Sequence, residues 1–397
     1  MESISISHTF NVNFFLLKMF GVWSGKSLNN YYKFYTFVIV VVLLLIYNTL
    51  LTINLFFTPW KIELIIREVM FYFTEIVVTA KVFMFLGFRS KLLDILNHLD
   101  CEEFKATDEN SRKIIDKHVY YYKTYWKIFS TLSHLSYFFL VLLPIIIAKL
   151  MGTNLELPIC KYYFFDDKLR NRYFYYLFIY QSIGMYAQMT YNVNADTLIS
   201  GLILMAVTQL KVLNYKLSNL KVTAEHSKLS LEIQDNIQYQ KLNDWLKHHY
   251  LITTFCTKIQ NLINVTILIQ FGMSAATICV SLCGFLMMSS TGTLMFVCSY
   301  LFVMVAEIFV PAWMGTQLSY ESRESVFAIY DSEWIPRSEK FKRNMRLFVA
   351  RANVPIILRG VKMFPLSLET FTSIMKTAYS FFALIRNVQD RENGRIS

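Results

Sequence analysis

Lys33 to Phe57 reads KFYTFVIVVVLLLIYNTLLTINLFF, a run whose only charge is its first residue. A helix of roughly 20 apolar residues spans the hydrocarbon core of a membrane, because in lipid every backbone polar group must be paired within its own segment. The stretch is a membrane helix, and the rest of the chain is read outward from it. Similar runs recur at 65–88, 126–149, 173–195, 262–288, 293–317 and 366–388, which together with 34–57 make seven crossings. The fourth and seventh are polar enough for a hydropathy window to miss. Composition agrees: 55% of the residues are hydrophobic and 16% aromatic, with 12 Gly and 7 Pro in 397 residues, which is not a soluble domain's profile. The expected fold class is all-α, one seven-transmembrane helical domain over 1–397, with no soluble module, linker or low-complexity tract. No internal repeat is visible, which counts against a secondary transporter. The N-terminal MESISISHTFNVNFF has no basic region ahead of an apolar run and does not read as a cleaved signal peptide.

The net charge of +11 raises the question of nucleic acid, but its distribution argues for a membrane. With the N-terminus inside, the cytoplasmic segments hold 27 Lys and Arg and the outer segments 10. The positive-inside rule then sets the N-terminus in the cytosol and the C-terminus outside. That arrangement is inverted relative to a G-protein-coupled receptor, whose Asp-Arg-Tyr and Asn-Pro-x-x-Tyr motifs are also missing. The inner segments, chiefly 197–260 and 338–362, are polar, nearly free of Gly and Pro, and carry apolar residues at spacings of three and four. They are expected to form helices that extend below the membrane and pack as a cytoplasmic anchor. The outer loops are short apart from 150–172, a segment placed to fold over an outward-facing cavity.

No enzyme signature is present: there is no G-x-S-x-G, H-E-x-x-H, P-loop or Gly-rich dinucleotide turn. Nothing in the chain calls for a metal or a cofactor. His248 and His249 are adjacent and diverge by about 100° on a helix, so they read as interfacial residues rather than a metal pair. Of six cysteines only Cys160 lies clearly in an outer loop, which leaves no loop disulfide to form. Cys279 and Cys283 read as small packing residues, and the Asn264-Val265-Thr266 sequon falls within a crossing. Glu75, Lys81, Asp196, Glu307 and Lys376 lie in or at the edge of crossings, where ionisable groups face protein or water. Lys81 is expected to snorkel to the inner interface, and Glu307 to pair with Lys376 at similar depth.

Aromatic and sulfur side chains crowd the outer halves of several crossings: Met70, Phe71 and Phe73, His134 and Tyr137, Tyr176, Met185 and Met189, Met273, and Tyr300. Each alone fits ordinary packing; together they suit an apolar pocket for a small hydrophobic ligand. The last crossing carries a different pattern. Thr370, Ser373, Thr377 and Ser380 share one narrow stripe of the helix, which runs on into Leu384 and Val388. Such a stripe either lines water enclosed by several copies of the helix, with an apolar ring that gates by dewetting, or bonds to backbone and neighbouring helices.

The stretch FPLSLETFTSIMKTAYSFFAL, Phe364 to Leu384, resembles the C-terminal signature of insect odorant receptors. His248-His249 before the fifth crossing, Tyr330-Asp331-Ser332-Glu333-Trp334 after the sixth, and the inverted topology are similar too. The resemblance covers essentially the whole chain; Phe381 departs where tyrosine is common, and Glu307 where glutamine is frequent. It implies an odorant-binding subunit of a ligand-gated, non-selective cation channel of four subunits, joined to the shared co-receptor Orco in the plasma membrane of olfactory neurons. It further implies that the last helix lines the pore, that Leu384 and Val388 form its gate with Asn387 beside it, and that cytoplasmic helices form the anchor. The co-receptor itself carries a longer insertion between the fourth and fifth crossings and lacks PLSLETF. A gustatory receptor is the nearest alternative, but Ile385 and Arg386 stand where that family has Gln-Phe; a G-protein-coupled receptor or a transporter is more distant.

Overall fold

Each predicted crossing becomes part of a helix that is longer than a membrane requires. The computed structural model describes residues 5–25, 29–221, 230–287, 291–361 and 363–396. Its main helices are α1 (Asn11–Met19), α2 (Asn30–Phe57), α3 (Ile62–Gly87), α4 (Arg89–Leu99), α5 (Glu109–Met151), α6 (Asp167–Arg172), α7 (Phe174–Ser218), α8 (Leu231–Met287), α9 (Thr291–Tyr330), α10 (Glu339–Ala352) and α11 (Leu368–Ile396). Among the described residues, α2, α3, α5, α7, α8 and α9 are long and apolar enough to cross a membrane. The hydroxyl stripe and the charges at the far end of α11 keep it out of that set, despite a length of 29 residues. The 45 residues of α7 span roughly 67 Å at 1.5 Å per residue, more than twice the hydrocarbon thickness. The surplus projects from the charge-rich end of the bundle.

α7 is the axis of the fold. Every residue from Thr190 to Leu210 is buried, so no face is left for lipid and the sequence shows no amphipathic period. This explains why the fourth crossing reads as polar: Asn192, Asn194, Asp196 and Thr197 find partners on neighbouring helices. α1, for example, inserts Asn13, whose amide donates to Asn194 O (3.2 Å) and Thr197 Oγ1 (2.7 Å) while its carbonyl accepts from Tyr122 Oη (2.6 Å). Gly201 makes that approach possible, since a Cβ there would overlap the rings of Tyr122 and Phe10. Two π-helical turns, Val41–Ile46 and Phe138–Leu142, lie within α2 and α5. The second precedes Pro144, whose ring and missing N–H are relieved by a widened turn.

The expected helix over 338–362 is shorter than its sequence suggested. α10 stops at Ala352 because Pro355 follows and disfavours helix at the residue before it. The chain then forms a two-stranded ribbon, β1 (Arg359–Gly360) against β2 (Phe364–Pro365), which delivers α11 to the bundle. Gly315 on α9 admits the Leu366 carbonyl, where a Cβ would collide. The Leu368 N–H donates to Thr316 Oγ1 (2.9 Å), and Phe371 packs edge-on to Phe309.

His248 and His249 prove to be interior residues of the charge-rich extension, not interfacial ones. His248 Nε2 meets Gln209 Oε1 at 3.0 Å, while Gln209 Nε2 donates to Phe104 O (3.0 Å). The His249 ring stands edge-on to Phe348. Burial lowers both imidazoles, His248 to about 3 and His249 to about 4. The unfolded chain, with ordinary imidazoles near 6.5, binds protons that the folded chain refuses. Stability present above that value is therefore lost as pH falls from about 6.5 toward 4. The melting temperature of the purified protein should drop across that window, and His248→Gln should flatten the dependence; an unchanged slope would count against the buried pair.

Candidate functional site

Four helices turn one face each toward a common space at the end of the bundle away from the charge-rich extensions. α3 contributes Phe71, Thr74, Glu75 and Val78; α7 contributes Met185, Gln188, Met189 and Asn192; α9 contributes Phe296, Tyr300, Val303 and Met304; and α5 contributes Ser133, Ser136 and Tyr137. The spacings of three, four and seven residues are those of a single helical face. They border a cavity of about 70 Å³. Tyr300 Oη is hydrogen bonded to Thr74 and donates to Met70 O (3.3 Å), and Tyr137 Oη donates to Ser182 O (3.3 Å). These bonds fix the aromatic walls.

A second cavity, of about 280 Å³, lies against the first and shares Phe296 with it. Residues 153–158 of the long connection form one wall, opposite Arg67 and Met70 on α3. That connection is held down by Ile159, Cys160 and Tyr162, all fully buried. Gln181 clamps it, accepting from Ile159 N (3.1 Å) and donating to Cys160 O (2.9 Å).

Of the residues predicted to form the pocket, Phe71, Tyr137, Met185, Met189 and Tyr300 border the smaller cavity, and Met70 borders the larger. The remaining four do not meet there. Tyr176 is 74% exposed, His134 is exposed with its Nδ1 against Ser130 O (2.7 Å), and Phe73 and Met273 lie half-buried on other faces of their helices. Residue type drew attention to them; helical phase turns them away. Phase was also the signal for residues that were overlooked. With Met185 and Met189 on the cavity, positions 188 and 192 share their face, and Gln188 and Asn192 follow.

Directly below the cavity lies a buried charge cluster. Lys81 Nζ contacts Asp196 Oδ1 (2.6 Å), Glu307 Oε1 (2.7 Å) and Asn192 Oδ1 (2.7 Å). Gln270 on α8 donates to Asp196 Oδ1 (3.0 Å) and to the Glu307 carbonyl (3.2 Å). Lys81 is completely buried, so it does not snorkel. Glu307 is paired with Lys81 and not with Lys376, which is exposed on α11. Two carboxylates on facing helices hold the ammonium in the interior, where reaching for the interface would leave both uncompensated.

The hydroxyl stripe of α11 is largely uncovered. Ser373, Thr377 and Ser380 are exposed and Thr370 is half-buried, whereas Ala378 is buried on the opposite side, against the bundle. Thr370 donates to Pro365 O (2.7 Å) and Thr377 to Ser373 O (3.0 Å), so part of the stripe is internally satisfied. Leu384 is 60% exposed and Asn387 is exposed; the side chain of Val388 lies outside the described residues.

Comparison with known proteins decides the lineage. The family model described as 7tm Odorant receptor matches residues 61–379. The chain belongs to the seven-transmembrane odorant receptor family. It is a multi-pass membrane protein of a receptor family. Odorant receptor 2a of Drosophila melanogaster is 27% identical over 52% of this chain and 53% of its own length. Odorant receptor Or1 of Anopheles gambiae is 25% identical over 54% and 56%, and odorant receptor 10 of Aedes albopictus 23% over 36% and 38%. The match thus spans 38% to 56% of the length of these relatives. The solved structure of the olfactory receptor OR5 from Machilis hrabei in complex with eugenol superposes with a TM-score of 0.84 at 18% identity, covering 98% of this chain and 100% of that one. The fold is therefore shared with that receptor.

Lys81→Met should be costly, because it leaves Asp196 and Glu307 facing each other uncompensated. Breaking such a pair costs about 3–5 kcal/mol, to be read as a lowered melting temperature and reduced surface expression. A variant as stable as the parent would remove the cluster from the account.

Proposed function

We propose that the chain is the odorant-binding subunit of a heteromeric, ligand-gated, non-selective cation channel, partnered with the co-receptor Orco in a tetramer in the plasma membrane of olfactory neurons. The observation that carries this reading is the bare hydroxyl stripe of α11. Membrane helices bury small polar residues against neighbours, yet here three of four hydroxyl residues face away from their own bundle. Several copies of α11 around an axis would turn those hydroxyls onto a water-filled path. Thr370, Ser373, Thr377 and Ser380 then line the conduit, and Leu384, Asn387 and Val388 stand at its narrow outer end, where apolar side chains gate by dewetting.

The cavity among α3, α5, α7 and α9 is the ligand site in this reading. Its aromatic and methionine walls select a small volatile by shape and by buried apolar area, at roughly 25 cal/mol per Å². The relative solved with eugenol supports a small-molecule role for the shared fold. The cytoplasmic extensions of α7, α8 and α9 with α10 serve as the anchor where subunits meet, and the charge distribution sets the N-terminus inside. Binding favours the open arrangement; inverting a 1:99 equilibrium would need about 5.5 kcal/mol of differential affinity, so a weak volatile opens the channel partially.

Whole-cell recording from cells expressing the chain with and without the co-receptor, under a panel of volatiles, is the test. An inward non-selective cation current that requires both subunits is expected, and Leu384→Ala should raise basal current. Conduction and rectification unchanged by Leu384→Ala would remove α11 from the pore.

A further inference from the structure

We propose that the cavity is tuned to small apolar amines, with Glu75 as the group that holds the nitrogen. The inference rests on the reading of that cavity as the odorant site and names the chemical class it accepts. Glu75 lines the cavity, is 6% exposed, and makes no hydrogen bond or ion pair among the described residues. Its Oε2 is buried without a partner. A carboxyl group left bare in a membrane bundle is costly and is kept where something answers it.

Gln188 presents the same demand. Its Nε2 donates to Leu43 O (2.9 Å) and Asn48 Oδ1 (3.4 Å), which fixes the amide and leaves Oε1 buried with no donor. The other polar groups of the lining are engaged. Thr74 and Tyr300 bond each other, Ser133 and Ser136 donate to the carbonyls one turn back, and Asn192 is held by Lys81 and Glu307. The unmet capacity of the cavity is therefore the Gln188 carbonyl, an acceptor, and the Glu75 carboxyl; a ligand bearing N–H donors and a basic nitrogen satisfies both, whereas an ester or ketone can answer only a protonated carboxyl and leaves Gln188 bare.

Charge points the same way. The cluster below pairs one ammonium with two carboxylates, and Lys81 lies six residues beyond Glu75 on α3, about 9 Å along the helix. An ammonium in the cavity, unlike a carboxylate, finds in Glu75 an acidic group of opposite charge to pair with. Phe71, Tyr137, Phe296 and Tyr300 supply ring faces for an ammonium and its hydrocarbon. An ammonium ligand pairs directly with the Glu75 carboxylate. A neutral amine meeting protonated Glu75 reaches the same pair: the carboxyl O–H breaks, its proton moves to the nitrogen lone pair, and no other reactant is consumed.

The test compares cyclohexylamine with cyclohexanone, which share a ring but not the donor. Two readouts are taken: current in cells expressing the chain with the co-receptor, and thermal stabilisation of the purified chain. Wild type should respond to the amine at a concentration about tenfold or more below that for the ketone, and Glu75→Gln should abolish the difference between the two ligands. Equal potency of the two ligands on wild type, a comparison that needs no variant, would overturn the proposal, as would amine selectivity that survives Glu75→Gln. If the amine stabilises wild type but not Glu75→Gln while no volatile evokes current, the amine site stands and the channel reading falls. If neutral volatiles gate through a response lost in Met189→Ala while amines gain nothing, the odorant reading stands and the amine site falls.

Discussion

A lysine that cannot reach water organises this receptor. Lys81 sits between Asp196 and Glu307, so α3, α7 and α9 are pinned at one level, and Gln270 ties α8 to the same point. Apolar contacts between membrane helices are permissive about rotation and sliding, because lipid tails compete on nearly equal terms. A buried ion cluster is not permissive. Turning any of these helices by one residue would move its charged group by about 100° and leave the remaining charges bare. The cluster thus sets the phase of the faces directly above it, and those faces are the walls of the cavity.

The same network brings the cavity close to the last helix. Asn192 belongs both to the cavity lining and to the cluster. Gln270 bonds the cluster, and the adjacent Phe271 packs on Phe364 in the ribbon that leads into α11. On the other side, Phe309 of α9 packs on Phe371 of α11 two residues beyond the paired Glu307. A shift of α8 or α9 is therefore felt by groups one contact from the root of α11. Discrete pairings of this kind switch between arrangements more readily than they deform.

The apolar runs were the legible part of the sequence, since backbone pairing in lipid forces helices wherever such runs occur, and 34–57 left no choice. The polar fourth helix was legible as a crossing, but its meaning was not: Asn192 and Asp196 look unfavourable in lipid and are explained only by neighbours on three other helices. Snorkelling is a property of one lysine alone, whereas the position of Lys81 is decided by two carboxylates more than a hundred residues away in sequence. In the site, Tyr137, Met185, Met189 and Tyr300 were visible by chemistry, while Gln188 and Phe296 needed helical phase. The N-terminal α1 was not foreseen, because a short helix docked on α7 through Asn13 carries no periodic signal of its own. The end of α10 at Ala352 departs from the expected helix over 338–362, because the periodicity beyond it outweighed the local restriction that Pro355 imposes.

Occlusion of the cavity above the buried ions tests most directly whether ligand acts there. Met189→Cys, expressed with the co-receptor, would be treated with a small neutral thiol reagent in the presence and absence of a volatile that evokes current. Modification should abolish the response, and the volatile should slow the reaction; wild type treated alike should keep its response. Modification at the same rate with and without the volatile, followed by an intact response, would contradict the claim and place the ligand elsewhere in the receptor.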